Sequence, residues 1–138
     1  MKRIYAWAPV GIWMTIIFAL SSRSRIQISE EETFNFLLFK TLHMLEYAFL
    51  HMLIYRAIRY ENPKKKSIQW AYIAYCVSVL YAASDEIHQT LVPTREGHPR
   101  DVIIDSIGIV LSWISITKLY PILPKKLRQL ASRWLLVS

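Results

Sequence analysis

Four apolar runs, over residues 4–20, 34–58, 68–90 and 102–122, take up most of this chain and leave little freedom in what it can fold into. A hydrocarbon core of about 30 Å is crossed by roughly 20 apolar residues in helical form, and the runs have about that length. In lipid every backbone N–H and C=O must be satisfied within the segment, so helix is the predicted state of all four. With 138 residues and no Gly/Ser-rich or low-complexity stretch, the chain reads as one unit over 1–138. The predicted architecture is all-α: an integral membrane four-helix bundle, followed over 125–138 by a basic amphipathic helix with Trp134, Leu135 and Leu136.

The run 4–20 follows Met1-Lys2-Arg3 and at first sight resembles a signal peptide. However, Ser21-Ser22-Arg23-Ser24-Arg25 offers no small-x-small cleavage site, and the later runs would hold the chain in the membrane anyway. Charge is segregated from the apolar runs: 54% of residues are hydrophobic, yet 20% are charged, and the net charge is +7. The basic residues form short clusters beside apolar runs, as cytoplasmic flanks of membrane helices do, which argues against a nucleic-acid partner. Cys76 is the only cysteine, so there is no internal disulfide and no thiolate metal cluster. It reads as a small buried hydrophobe.

Orientation follows from the loops. Lys2 and Arg3, then Arg56, Arg59 and Lys64 to Lys66, then Lys118, Lys125, Lys126, Arg128 and Arg133 mark one side. The alternate loops hold Arg23, Arg25, Arg95 and Arg100 but also Glu30-Glu31-Glu32. The positive-inside rule then puts both termini in the cytoplasm and the alternate loops outside, which four crossings satisfy.

That alternation brings polar residues to one level. Lys40, His43 and Tyr47 share a stripe near the outer end of the second run, with Glu46 to one side. The third run ends on Ser84-Asp85-Glu86-Ile87-His88-Gln89, and the fourth begins at Arg100-Asp101, with Asp105 and Gly108 deeper on the same face. Ser21, Ser22 and Arg23 end the first run. Ionisable groups in spanning helices cost roughly 2.5 to 3.5 kcal/mol each at the bilayer centre, so each needs a partner or a purpose. Lys40 can simply pair with Asp85 or Asp101, and polar bonds hold helices together in lipid. Gluing four helices does not need so many charges at one depth, and the set is therefore predicted to form a site. His51, lying deeper, reads as a core histidine; Trp70, Tyr72 and Tyr75 read as packing and interface residues.

The residue types admit two designs. One is a divalent-metal site, with His43, Glu86, Asp101 and Asp105 as candidate ligands and arginines clamping a lipid phosphate or diphosphate for hydrolysis. The ligand spacing for it is weak: there is no His-Glu-x-x-His run, and Asp101-x-x-x-Asp105 alone is only suggestive. The other is a recognition pocket with Lys40, His43, Glu86, Arg95 and Asp101 at its core, where Lys40 and the arginines (Arg23, Arg95, Arg100) bind an anionic headgroup and the acids orient them by ion pairing. Neither a Gly-rich phosphate loop nor a G-x-S-x-G motif is present. A transporter would need a dimer; Gly108 and Ser112, in small-x-x-x-small spacing, offer a face for a second copy or for ordinary packing within the chain.

Taken together, Phe18-x-x-Ser21-Ser22, Lys40-x-x-His43-x-x-x-Tyr47, Asp85-Glu86-x-x-Gln89, Pro93-x-Arg95 and Asp101-x-x-x-Asp105-x-x-Gly108 resemble the VanZ-like family of small bacterial membrane proteins, named for a teicoplanin-resistance protein. Many members have Asn in place of Asp105 and a second Gly in place of Ser112. The resemblance implies a bacterial cytoplasmic membrane, a link to glycopeptide susceptibility and, with the outward-facing cluster, an isoprenoid-phosphate lipid, another anionic phospholipid or a cell-wall precursor as the expected ligand.

Overall fold

The computed structural model describes residues 2–23, 28–62, 67–93, 95 and 97–135. Ser24, Arg25, Lys64 to Lys66 and Leu136, all of which carry weight in the sequence pattern, lie outside these residues. Every regular element described is helical: α1 (Lys2–Ser21), α2 (Glu32–Glu61), α3 (Ser67–Gln89), α4 (Pro99–Ile114) and α5 (Lys125–Leu135). Between α4 and α5 lie a π-helical turn, Ser115–Leu119, and a 3-10 turn, Tyr120–Ile122.

Among the described residues three helices are long and apolar enough to cross a membrane: Arg3–Ser21, Glu32–Glu61 and, counting its π and 3-10 extension, Pro99–Ile122. Predicted as a fourth span, α3 has the length, at 23 residues, but Gln69, Tyr72, Tyr75, Ser78, Tyr81, Ser84, Asp85 and Glu86 dilute its apolar content. The helix α2 begins two residues before the predicted run and continues to Glu61, beyond the apolar stretch, with Arg59 buried in its last turn. The departure from α-geometry after Ile114 has a local cause in Pro121. A proline has no N–H to give to the carbonyl one turn back and its ring crowds that carbonyl, so the ladder loosens into a π turn before the helix stops.

The helix α2 is the centre of the molecule and packs against α4, α3, α1 and α5. Its inward side buries Tyr47, Leu50, His51, Ile54, Tyr55 and Ala57, which meet Ile17 of α1, Ala71, Ala74 and Ala82 of α3 and Ile109 of α4. The antiparallel order of α1 against α2 is fixed at two levels. Arg3 pairs with Glu61 at 3.5 Å, and the Trp13 indole N–H donates to the Glu46 carbonyl at 3.0 Å. The helices α2 and α4 approach closely at Gly108, where a Cβ would fall on the Met44 carbonyl. One helical turn further, His51 joins three helices: Nε2–H donates to the Ala71 carbonyl at 3.1 Å and, in the neutral ring, Nδ1 accepts from the Ser112 hydroxyl at 2.9 Å. His51 is thus a core histidine, and the Gly108/Ser112 stripe faces α2 of the same chain.

The outside of the helices is apolar. Ile12, Leu37, Leu45, Leu80, Ile87, Ile103, Ile107 and Leu111 are all exposed. Large apolar side chains turned outward on every long helix are what a lipid-facing surface requires, and what a water-facing one avoids.

Candidate functional site

The end of the bundle opposite Arg3 and Glu61 gathers the polar residues. Asp85, Glu86, Gln89, Asp101 and Asp105 are buried there, the four acids between 4% and 8% exposed, together with Ser21. Two carboxylates organise the group. Asp85 Oδ2 accepts from the Ser21 hydroxyl of α1 at 2.7 Å, the Tyr47 hydroxyl of α2 at 3.1 Å and the Gln89 amide of its own helix at 3.1 Å. Asp85 Oδ1 is buried with no hydrogen-bond partner among the described residues.

The second carboxylate, Asp101, sits in the first turn of α4. It holds Lys40 Nζ at 2.5 Å through Oδ2 and Arg100 Nε at 3.6 Å through Oδ1. Both cations also lie over the ring of Phe36, Lys40 Nζ at 5.9 Å and the Arg100 guanidinium at 5.6 Å from its centroid. The spacing explains this: Phe36 and Lys40 are one turn apart on α2, and Asp101 begins the helix that packs against them. Asp101 also suits the positive end of the α4 dipole, where an acid in the first turn is favoured. The lysine side chain is largely covered, whereas 64% of the Arg100 side chain is exposed, so the cation pair forms an edge open to the surroundings.

Arg95 closes the top. Its Nε donates to the Arg23 carbonyl at 2.9 Å, Nη2 to the Leu20 carbonyl at 3.4 Å and Nη1 to Gln89 Oε1 at 3.0 Å. A guanidinium at the C-terminus of α1, on the Leu20 carbonyl of its last turn and the Arg23 carbonyl just past it, complements the negative dipole end of the helix. Through Gln89 the same arginine is linked to Asp85. Glu86 Oε1 accepts the backbone N–H of His98 at 2.6 Å, which fixes the start of α4 against the end of α3. Gly97 permits that approach, since a Cβ there would stand 2.6 Å from the Glu86 carbonyl oxygen. Ser22 donates to the Phe18 carbonyl at 2.7 Å and, with that proton committed, accepts from His88 Nε2–H at 3.0 Å, while the His88 ring stacks on Phe18.

All the predicted site residues therefore lie at one end, but in separate groups. Lys40, Arg100 and Asp101 form one; Ser21, Tyr47, Asp85, Gln89 and Arg95 form another, to which Arg23 adds its carbonyl. His43 Nδ1 lies 3.6 Å from Glu46 Oε2, a pair on α2 alone. Asp105, one turn below Asp101, is close enough to interact electrostatically with Lys40, Glu86, Asp101 and Asp85, yet it makes no hydrogen bond or ion pair among the described residues. The candidate metal ligands are not brought together: among the described residues no three His, Cys, Asp or Glu side chains group so that they could hold a metal ion. One oxygen of each of Glu86 and Asp101 is engaged, Oε1 by the His98 N–H and Oδ2 by Lys40.

Three contributors are not evident from the residue pattern. Phe36 reads as one more lipid-facing aromatic, though its position one turn before Lys40 is a usable signal. Asn35, buried at the start of α2, accepts the N–H groups of Ile28 and Ser29 on Oδ1, each at 3.1 Å, and donates to the Ser29 carbonyl at 2.6 Å, ordering the loop that enters α2. An asparagine just inside an apolar run is the clue. His98 acts through its backbone and leaves no trace in residue type.

Neither the curated proteins nor the solved structures compared with this chain give a significant match. A family model described as VanZ/LLP1 matches residues 3–121, which take in α1 to α4 and end within the 3-10 turn. Its span includes every residue of the polar end, and this chain is a membrane protein of the VanZ/LLP1 family.

Proposed function

We propose that the protein crosses the bacterial cytoplasmic membrane four times as a bundle, with both termini inside, and that its polar end faces outward and binds the headgroup of an anionic lipid or cell-wall precursor of the isoprenoid-phosphate type. The observation that carries this is the pair of cations held side by side by one carboxylate: Lys40 and Arg100 on Asp101, above the Phe36 ring. Glu86 and Asp105 also lie within electrostatic reach of Lys40, so the cation offered outward is chiefly Arg100, which stands at an accessible edge. Charge-assisted bonds from lysine and a planar guanidinium suit a phosphate, and exposed Phe34 and Leu37 beside them suit the lipid chain. A bearing on glycopeptide susceptibility would run through that ligand.

Lys40→Gln combined with Asp101→Asn tests it, because both partners of the ion pair lose their charge together. In nanodiscs, retention of polyprenyl phosphate by native mass spectrometry falls about tenfold or more, as expected for losing a charge-assisted bond of roughly 1.5 to 3 kcal/mol. Thermal stability stays near wild type. Undiminished retention by a folded double variant would overturn the reading.

A further inference from the structure

The family match stops at residue 121, so α5 lies beyond it. This helix, Lys125–Leu135, carries Lys125, Lys126, Arg128 and Arg133 and no acidic residue. It does not trail into solvent. It folds back on α2, where the Trp134 ring stacks on Phe49 with centroids 6.2 Å apart, and Arg56 Nε donates to the Trp134 carbonyl at 3.0 Å. Arg56 also lies over the Trp134 ring at 5.9 Å. Trp134 thereby forms one wall of an open crevice of about 410 Å³ whose other walls include Pro9 and Trp13 of α1 and Leu53 of α2. At the other end of α5, Arg128 donates to the Pro121 carbonyl at 3.2 Å. The helix is therefore fixed at both ends, while Leu127 and Leu130 stand 54% and 67% exposed on the turns between.

Its level along the bundle is also set. Arg56 stands in the last two turns of α2, five residues before Glu61, so α5 is held against the end of the bundle where α2 and α4 finish. A helix held at that level, with leucines exposed on one side and uncompensated cations on the other, has the makings of an interfacial helix. We infer that α5 is a second lipid contact, separate from the polar end, that lies on the anionic phospholipid surface of the leaflet where α4 ends and is seated there by Lys125 and Lys126. Both lysines are exposed and make no hydrogen bond or ion pair among the described residues, whereas Arg128 is bonded to Pro121.

The test uses the full chain with Cys76→Ser and a nitrobenzoxadiazole probe on Leu130→Cys, or on Gln129→Cys at the polar side, in nanodiscs. With phosphatidylglycerol present, the probe at 130 shifts to the blue and resists dithionite; in phosphatidylcholine alone, or at high salt, it does not. The probe at 129 stays accessible throughout. Lys125→Gln with Lys126→Gln lowers the protection about fivefold for each cation removed. Equal dithionite rates at 130 in both lipids would overturn the inference. So would protection that ignores lipid charge, which would point instead to a neutral-lipid contact or to a second copy of the chain.

Discussion

Asp85 joins three helices through one oxygen, and the worth of that oxygen is measurable. Asp85→Ala leaves the buried hydroxyls of Ser21 and Tyr47 and the Gln89 amide without their acceptor. An orphaned buried donor costs roughly 1 to 3 kcal/mol in water-soluble proteins, and interhelical hydrogen bonds in a membrane average about 0.6 kcal/mol, so the expected loss is about 2 to 5 kcal/mol. Asp85→Asn keeps one carbonyl oxygen for the same donors and loses less. Unfolding in nanodiscs should rank wild type above Asn and Asn above Ala; an Ala variant as stable as wild type would show that these bonds carry no weight. At this scale the sequence is legible in part. That Lys40 needs a buried acid follows from the cost of an ion in lipid, but the choice of Asp101 over Asp85 depends on which face of α4 meets α2, and spacing along one helix does not encode that.

Helix lengths are the most readable feature, because the bilayer fixes them. The exceptions are local: the π turn before Pro121 belongs to the proline, and α2 continues past its apolar stretch to Glu61, with Arg59 buried in that last turn. Gly108 shows what periodicity does not reveal. Its spacing from Ser112 suggests a packing stripe, but only the fold names the partner as Met44 of α2. Gly108→Ala must push α2 and α4 apart, because the obstacle is backbone and no rotamer relieves it, and the expected cost is about 1 to 3 kcal/mol. Gly11 supplies the control, since a Cβ there meets nothing within 4 Å. Gly11→Ala should be neutral or stabilising by up to about 1 kcal/mol through helix propensity. Thermal unfolding of both variants decides it, and a Gly108→Ala protein as stable as wild type would mean that the helices do not approach so closely.

For the molecule as a whole, the gathering of polar residues at one end can be foreseen from alternating helix direction alone, whereas their division into an Asp85 group and an Asp101 group cannot. The latter depends on how α1 and α4 sit around α2. Whether the bundle crosses four times turns on α3, the least apolar of its long helices. Asp85 and Glu86 would each cost roughly 2.5 to 3.5 kcal/mol near the bilayer centre. They lie instead in its last two turns, within bonding distance of Ser21, Tyr47 and the His98 N–H, so most of that cost is avoided by depth and the rest offset by partners. Crossing is therefore the expected outcome. With Cys76 replaced by Ser, cysteines at Leu91 and Asn62, just beyond the two ends of α3 and both exposed, separate the alternatives. On intact cells a membrane-impermeant maleimide should label Leu91→Cys at once and Asn62→Cys only after permeabilisation. Gln129→Cys should follow Asn62, and Ser22→Cys should follow Leu91. If Leu91 and Asn62 label together, α3 does not cross, and the polar end loses the shared level on which the lipid-binding proposal rests.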